Sequence, residues 1–540
     1  MTERSMAPIR PHVPRPVPYR VRRPDPGPGA VGSAGETPIE SAPVAPRREA
    51  PAAASQEPPM HRLRRPPFLS RVRPAAACVL LLFSWVACDG ANAPAERRNI
   101  VLISIDTMRP DYLGCYGHER EVSPRIDAFA DGGTVFDDVT SAAPWTLPSH
   151  ATMLTGEYPS THGVRTHDFS LTDETLATWL HKQGYQTMAV VNSHNIGYEQ
   201  YGLMRGYDPG KGKWVTEVDM LPDGSPGTRI LNRAEKIIQV ARKFLGERDP
   251  ARPFFLFLHF YDVHTDFTPD PKWEREFVEP YRGRLTGVTA DLVKARNQIM
   301  RGEWQLGDAD IAFLEEMYDA EIRTFDTSLG VFFDYLRDAG LEDSTVVAIT
   351  SDHGEEYGEH GSILHGRTHY RELVHIPWIL RGPGVPVGER IATPVHLIDV
   401  APTLYSLAGV PAPEGIDGLD ATLLWRDPSE FPEARFLFSE ADHNNIIEGK
   451  DAHDIKRMVR LGTKVLHRNL HTGEQELYDL SNDPFEQHDL AADDPEMVEL
   501  LGQRLDEFMK RQGSARSIAP PSEETMELLQ TLGYVGGDDE

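Results

Sequence analysis

Apolar residues occur in two rhythms along this chain, short near-continuous runs and longer segments with a helical repeat, and the two alternate. Asn99 to Ile105 (Asn-Ile-Val-Leu-Ile-Ser-Ile), Gln186 to Val191, Pro253 to Phe260 and Thr345 to Thr350 read as strands, the most continuous of them buried on both faces as in a parallel sheet. Among them, Ser123-Pro124 opens a helix that Gly132-Gly133 ends, and Asp173 to Gln183 is a helix closed by Gly184. Asp308 to Asp338 carries a long helical repeat that stops near Gly340. This alternation predicts an α/β fold, a large, mostly parallel sheet flanked by helices. Two polar, Gly/Pro-punctuated stretches, 198–235 and 265–307, are longer than ordinary connections and are expected to shape the entrance to a site. The pattern changes over 430–482, with strand-like pieces at Met458 to Leu461, Lys464 to Arg468 and Glu474 to Leu480, followed by a helix from Pro495 to Met509. No internal repeat is present.

Composition changes this picture mainly at the N-terminus. The 540 residues are 40% hydrophobic and 26% charged, as in an ordinary globular protein, and can bury a large core. A net charge of −28 argues against nucleic acid as a partner, since a phosphate backbone needs a basic face. Residues 1–59 are rich in Pro, Ala and Arg without apolar periodicity and read as a disordered tail. Beyond Met60, a second candidate start, an Arg-rich stretch precedes the apolar run Ala75 to Ala87 and then Cys88. That order, over 60–88, describes an export signal ending in a lipoprotein box. The run is short for a membrane span, which needs about 20 apolar residues. The expectation is an exported, periplasmic or cell-envelope lipoprotein held to the membrane by a lipid anchor, the alternative being a single signal anchor. With Cys78 removed and Cys88 lipidated, Cys115 is the remaining cysteine, so no disulfide framework supports the fold.

Candidate chemistry sits at the ends of the buried strands. Asp106 directly follows the first of them, and Asp352-His353 lies just beyond the last, where an open α/β sheet places its ligands. A divalent metal needs oxygen and nitrogen donors converging from several elements, and these three residues supply both. The stretch Ala143 to Gly156 carries Thr146 ahead of a helix that Pro148-Ser149 begins and Gly156 stops. A hydroxyl there either attacks a sulfate or phosphate centre at the helix N-terminus or simply caps the helix.

The segment from Thr146 resembles the sulfatase signature C-x-P-x-R followed by an apolar turn and T-G. Thr146 holds the Cys position, Pro148 matches, His150 holds the Arg position, and Leu154-Thr155-Gly156, Pro159 and His162-Gly163 continue the match. The resemblance is to the sulfatase family of the alkaline phosphatase superfamily, in a branch with Thr at the nucleophile position, and it spans roughly 97–540. It implies a catalytic domain over 97–429 and a small antiparallel-sheet subdomain over 430–540. It also implies one divalent metal held by Asp106, Thr146, Asp352 and His353. Thr107 and His353 stand where many sulfatases have a second Asp and an Asn, which shifts the preference from calcium toward manganese, zinc or iron, as in phosphonate monoester hydrolases.

By the same resemblance His264, after the strand ending near Phe260, and His365, in the family's Lys position, act catalytically on the leaving group, while His150 and Asn192 contact the substrate. Family sulfatases oxidise the signature Cys to formylglycine, whose ester is broken by reforming an aldehyde. Thr has no such route, so its ester must be broken by a second attack at the central atom. The chain is therefore expected to hydrolyse a small-molecule or envelope ester, phosphodiester or phosphonate ahead of sulfate. The competing readings are a cell-envelope phosphoryl-group transferase and a non-catalytic binding protein of the same fold.

Overall fold

The computed structural model describes residues 97–511 apart from 216–217, 221–225, 230–232 and 448–449, and beyond 511 only residues 513 and 516–517. The expectations for the N-terminal tail, the export signal and Cys88 fall outside the described residues. Eight strands form the main sheet: Asn99–Ile105 (β1), Thr134–Phe136 (β2), Gln186–Val191 (β3), Gly212–Trp214 (β4), Phe254–Phe260 (β5), Thr345–Thr350 (β6), Trp378–Arg381 (β7) and Glu389–Ile391 (β8). Their order is β8-β2-β7-β6-β1-β5-β3-β4. β7 runs antiparallel to both of its neighbours. The other five pairings are parallel.

The central strands are the apolar runs of the sequence because both of their faces are covered. Val101, Ile103 and Ile105 of β1 point into a core shared with the helices Pro124–Asp131, Arg233–Gly246 and Asp308–Asp338. Ile100 and Leu102, of opposite parity, point into a core shared with Thr146–Thr155, Leu176–Lys182 and Val400–Ala408. This alternation across a strand buried on both sides is what a helix-flanked sheet requires.

Three expectations are corrected. The helix expected to open at Pro148-Ser149 opens at Thr146, with Trp145 as its N-cap residue. Pro148 fits because the first turn of a helix has N–H groups without intrahelical partners, so a missing one costs nothing. The stretch 265–307 holds two helices, Pro271–Phe277 and Thr289–Met300. Their apolar faces are narrow, so the polar majority masked the repeat. The helix expected from Asp173 begins at Leu176, because Thr175 caps it reciprocally with Thr178. The short strands β2, β7 and β8 span three or four residues each, too few to carry a period.

Toward the C-terminus, Phe436–Ile447, Lys450–Leu461, Lys464–Asn469 and Gln475–Asp479 form an antiparallel four-stranded sheet in sequence order. The helix Pro495–Phe508 packs on it through Leu501, Leu505 and Phe508, and Ala142, Tyr158 and Ile398 of the larger part join the same core. Arg460 crosses between the two parts to Asp138, Nη1 to Oδ1 at 2.8 Å. Among the described residues, no helix is long and apolar enough to cross a membrane.

Candidate metal centre and active site

The C-terminal ends of β6, β1, β5 and β3, four neighbouring parallel strands, converge on one point. Asp106 follows β1, and its backbone N–H donates to the Phe260 carbonyl at 2.9 Å, extending the ladder one residue beyond β1. The next residue, Thr107, adopts a left-handed conformation with φ 57°. For a residue branched at Cβ that geometry costs about 1–3 kcal/mol and persists only where the surroundings enforce it. Here it aims the Thr107 N–H at Asp352 Oδ1, 3.2 Å away, while the Tyr318 hydroxyl holds the Thr107 carbonyl at 2.7 Å.

Asp106, Asp352 and His353 each offer a ligand atom within 4.8 Å of the other two, and all three are fully buried. His353 Nε2 lies 3.3 Å from Asp352 Oδ2 and 3.8 Å from Asp106 Oδ1. Its Nδ1 faces the Gly354 carbonyl at 2.9 Å. The proton therefore sits on Nδ1, and Nε2 keeps a lone pair for a cation. Thr146 Oγ stands 3.4 Å from that same Nε2. As the first residue of its helix, it places a hydroxyl where free N–H groups and the helix dipole favour an anion. The hydroxyl does not cap the helix.

The other residues expected in the site take these positions. His150, one turn along from Thr146, faces the Thr146 carbonyl through Nδ1 at 2.8 Å and Ser104 Oγ through Nε2 at 2.8 Å. The same Nδ1 is 3.4 Å from Asp352 Oδ2, and the ring is fully buried. Asn192, at the end of β3, accepts the Tyr261 N–H on Oδ1 at 2.9 Å, and its buried Nδ2 has no hydrogen-bond partner among the described residues. His264 is held by the Thr265 carbonyl at Nδ1, 2.6 Å, and the Tyr261 hydroxyl at Nε2, 3.0 Å. His365 is held by Glu355, Nδ1 to Oε1 at 2.9 Å. Its ring centroid is 5.0 Å from that of His264 and 4.5 Å from that of His353, so one imidazole links the two groups.

Two participants escaped the sequence reading. His259 lies inside the wholly buried β5, with Nε2 3.2 Å from Asp106 Oδ2 and Nδ1 3.2 Å from Asn192 Oδ1. Its signal was a lone polar ring in an apolar strand, which reads equally well as a core histidine. Glu355, the partner of His365, was hidden in the polar run Gly354-Glu355-Glu356.

Burial dominates the electrostatics. It holds the imidazoles of His150 and His353 below their ordinary range and brings His365 down to about 3, so all three are neutral at pH 7. Neutral imidazole is the form that ligates metals. Burial likewise pushes the carboxyl of Asp352 up and that of Glu355 to about 8. A bound cation would reverse both shifts.

With this geometry in place, the similarities to known proteins are specific. Residues 98–410, more than half of the chain, match the model of the family described as sulfatase. The chain belongs to the sulfatase family. Residues 358–513 also match the family of N-sulphoglucosamine sulphohydrolase C-terminal regions, which begins within the loop carrying His360 and His365. The chain is 25% identical over 447 residues to an arylsulfatase of Clostridium perfringens, covering 72% of this chain and 89% of that protein. It is 24% identical over 508 residues to an N-acetylglucosamine-6-O-sulfatase of Bacteroides thetaiotaomicron, covering 78% and 89%. In fold it resembles the phosphonate monoester hydrolase of Agrobacterium radiobacter, with a TM-score of 0.61 at 21% identity, covering 79% of this chain and 99% of that one. It resembles equally a protein solved with its substrate D-glucosamine-2-N,6-O-disulfate, with a TM-score of 0.61 at 21% identity, covering 77% and 98%. This sulfatase-family protein is thus an ester hydrolase of a metal-dependent family, and the buried Asp106–Asp352–His353 group is one of its candidate metal-binding groups.

Proposed function

We propose that the protein hydrolyses phosphodiesters or phosphonate esters faster than sulfate monoesters, using the Thr146 hydroxyl as nucleophile. The observation that carries this is the position of Thr146 Oγ beside His353 Nε2, at a helix N-terminus. Asp106, Asp352, His353 and Thr146 are proposed to hold one divalent cation. The donor set fits a cation because Asp352 Oδ2 is buried and accepts no hydrogen bond among the described residues. An imidazole in the set and Thr107 in place of a second carboxylate favour manganese, zinc or iron over calcium. Such a cation, when bound, lowers the pKa of a coordinated hydroxyl and offsets charge on the ester.

The chain's own residues then divide the work. Thr146 Oγ forms a bond to phosphorus as the bond from phosphorus to the leaving oxygen breaks. His264 and His365 offset the charge on that oxygen, which departs as the protonated alcohol. Asn192 Nδ2 donates to an oxygen of the bound ester, and His150 fixes the carbonyl of Thr146 and the carboxylate of Asp352. Water then attacks phosphorus, the Thr146–phosphorus bond breaks, and Thr146 regains its proton. The enzyme is proposed to work outside the cytoplasm, anchored through a lipid on Cys88. Mass spectrometry of the native N-terminus tests that placement, and an unmodified Cys88 preceded by Met1 contradicts it.

A substrate panel tests the chemistry. Aryl sulfate, phosphate monoester, phosphodiester and phosphonate monoester substrates are compared by kcat/KM with manganese, zinc and calcium. A phosphodiester or phosphonate leading with a transition metal supports the proposal. An aryl sulfate leading, or full activity with calcium alone, overturns it.

A further inference from the structure

Four arginines are buried among the described residues: Arg109, Arg296, Arg457 and Arg460. Three of them are paired, Arg109 with Asp111 at 2.7 Å, Arg457 with Asp442 and Arg460 with Asp138. Arg296 is the exception. It is 6% exposed, and among the described residues it takes part in no ion pair and its buried Nε has no hydrogen-bond partner. Burial brings its guanidinium down only to about 10, so it stays positive at pH 7. A buried cation without a partner is costly unless an anion meets it. We infer that Arg296 receives a second, non-reacting anionic group of the substrate. The substrate class is then esters whose alcohol part itself carries a carboxylate, sulfate or phosphate.

The placement of Arg296 supports this. It lies on the helix Thr289–Met300, whose Leu292 and Ala295 share a core with Ile363 and Leu364, the residues just before His365. Thr289, Arg296 and Met300 are seven and four residues apart, which puts them on one face of the helix. Both ends of that face meet the segments carrying the two histidines assigned to the leaving group. Thr289 Oγ1 donates to Thr265 Oγ1 at 3.1 Å, next to His264, and Met300 contacts Arg367, two residues after His365. Arg296 sits between these anchors, and its charge acts on Glu355 and His365.

The inference deepens the proposed function and rests on it in one respect, the assignment of the leaving oxygen to the side of His264 and His365. The reacting group is met elsewhere, by Asn192 and the helix N-terminus at Thr146. An arginine on the histidine side faces the departing alcohol instead, and its planar fork suits two oxygens of one anionic group.

The test uses the full chain and two aryl esters with one headgroup, the 3-carboxyphenyl and 3-carbamoylphenyl esters, which match in shape and differ in charge. The headgroup is whichever of phosphodiester, phosphonate or sulfate is turned over fastest. The wild type is expected to favour the carboxylate by about 10- to 100-fold in kcat/KM, the scale of a hydrogen bond between charged groups. Arg296→Met should bring that ratio to about one and melt no lower than wild type, because no ion pair is broken. Arg296→Gln, which keeps a polar end, serves as the second variant should Arg296→Met fail to fold. Arg296→Lys should keep part of the preference, since the charge remains and the fork is lost. A wild type indifferent to the carboxylate, or a folded Arg296→Met or Arg296→Gln that keeps the wild-type ratio, overturns the inference. Because both esters share a headgroup, the ratio separates the two claims. A carboxylate preference carried by Arg296 on an aryl sulfate sinks the proposed function and upholds Arg296, and a leading phosphodiester without that preference does the reverse.

Discussion

The two ends of the central sheet treat charge in opposite ways. At the end where β6 begins, a cavity of about 620 Å³ is lined by Arg125, Arg337, Arg381, Asp334 and Glu342, among others. Its arginines are all paired: Arg125 and Arg337 to Asp334 at 2.8 and 2.9 Å, and Arg381 to Glu342 at 2.6 Å. At the other end, where β6, β1, β5 and β3 stop, the polar groups are buried, and Asp352 Oδ2, Glu355 Oε2 and Asn192 Nδ2 have no hydrogen-bond partner among the described residues. The open cavity is electrostatically finished, whereas the crowded end keeps buried donors and acceptors for a ligand to meet. Unsatisfied buried donors and acceptors therefore mark the candidate site, and a cavity lined by paired charges does not.

The sharpest way to break this contrast is to remove a charge from the crowded end. Asp352→Asn should lose the proposed cation and lower turnover by about 10³-fold or more. Elemental analysis beside steady-state rates measures this, and a variant that keeps both would erase the distinction between the ends. A smaller effect is expected at His259, which reaches the site through Asp106 and Asn192. His259→Ala should weaken binding of the proposed cation by about 10- to 100-fold, as outer partners of metal ligands do, read by competition with a chelator. An unchanged affinity would make His259 an ordinary core residue. The smallest effect belongs to the paired end. Arg381→Met should change stability by about 1 kcal/mol or less in thermal melts and leave kcat/KM unchanged, because its partner Glu342 is partly exposed and solvent screens the pair.

What was legible in the sequence follows the same division. Asp106, Asp352 and His353 could be read because each comes just after an apolar run that has to be a buried strand, and such strands deliver ligands at their C-terminal ends. Asp308–Asp338 was legible from end to end because 31 residues are ample for a helical period. His259 and Glu355 were not, because their meaning comes from adjacency. The contact of His259 with Asp106 exists only because β5 lies beside β1, and no periodicity within one strand states which strand is its neighbour. The start of the helix at Thr146 was misplaced for a local reason, since proline is acceptable at several positions of a first turn. That error of two residues mattered, because it had set Thr146 outside the helix rather than on its first turn.

The most direct measurement is made on a single preparation of Thr146→Ala, with cation content and phosphodiester turnover determined together. The account predicts a folded protein that retains the cation through Asp106, Asp352 and His353, with turnover lower by about 10⁴-fold. Thr146→Ser, which keeps the attacking oxygen, should retain activity alongside it. Thr146→Ala turning over its best substrate at the wild-type rate would contradict the account and reduce Thr146 to a structural residue at the start of its helix.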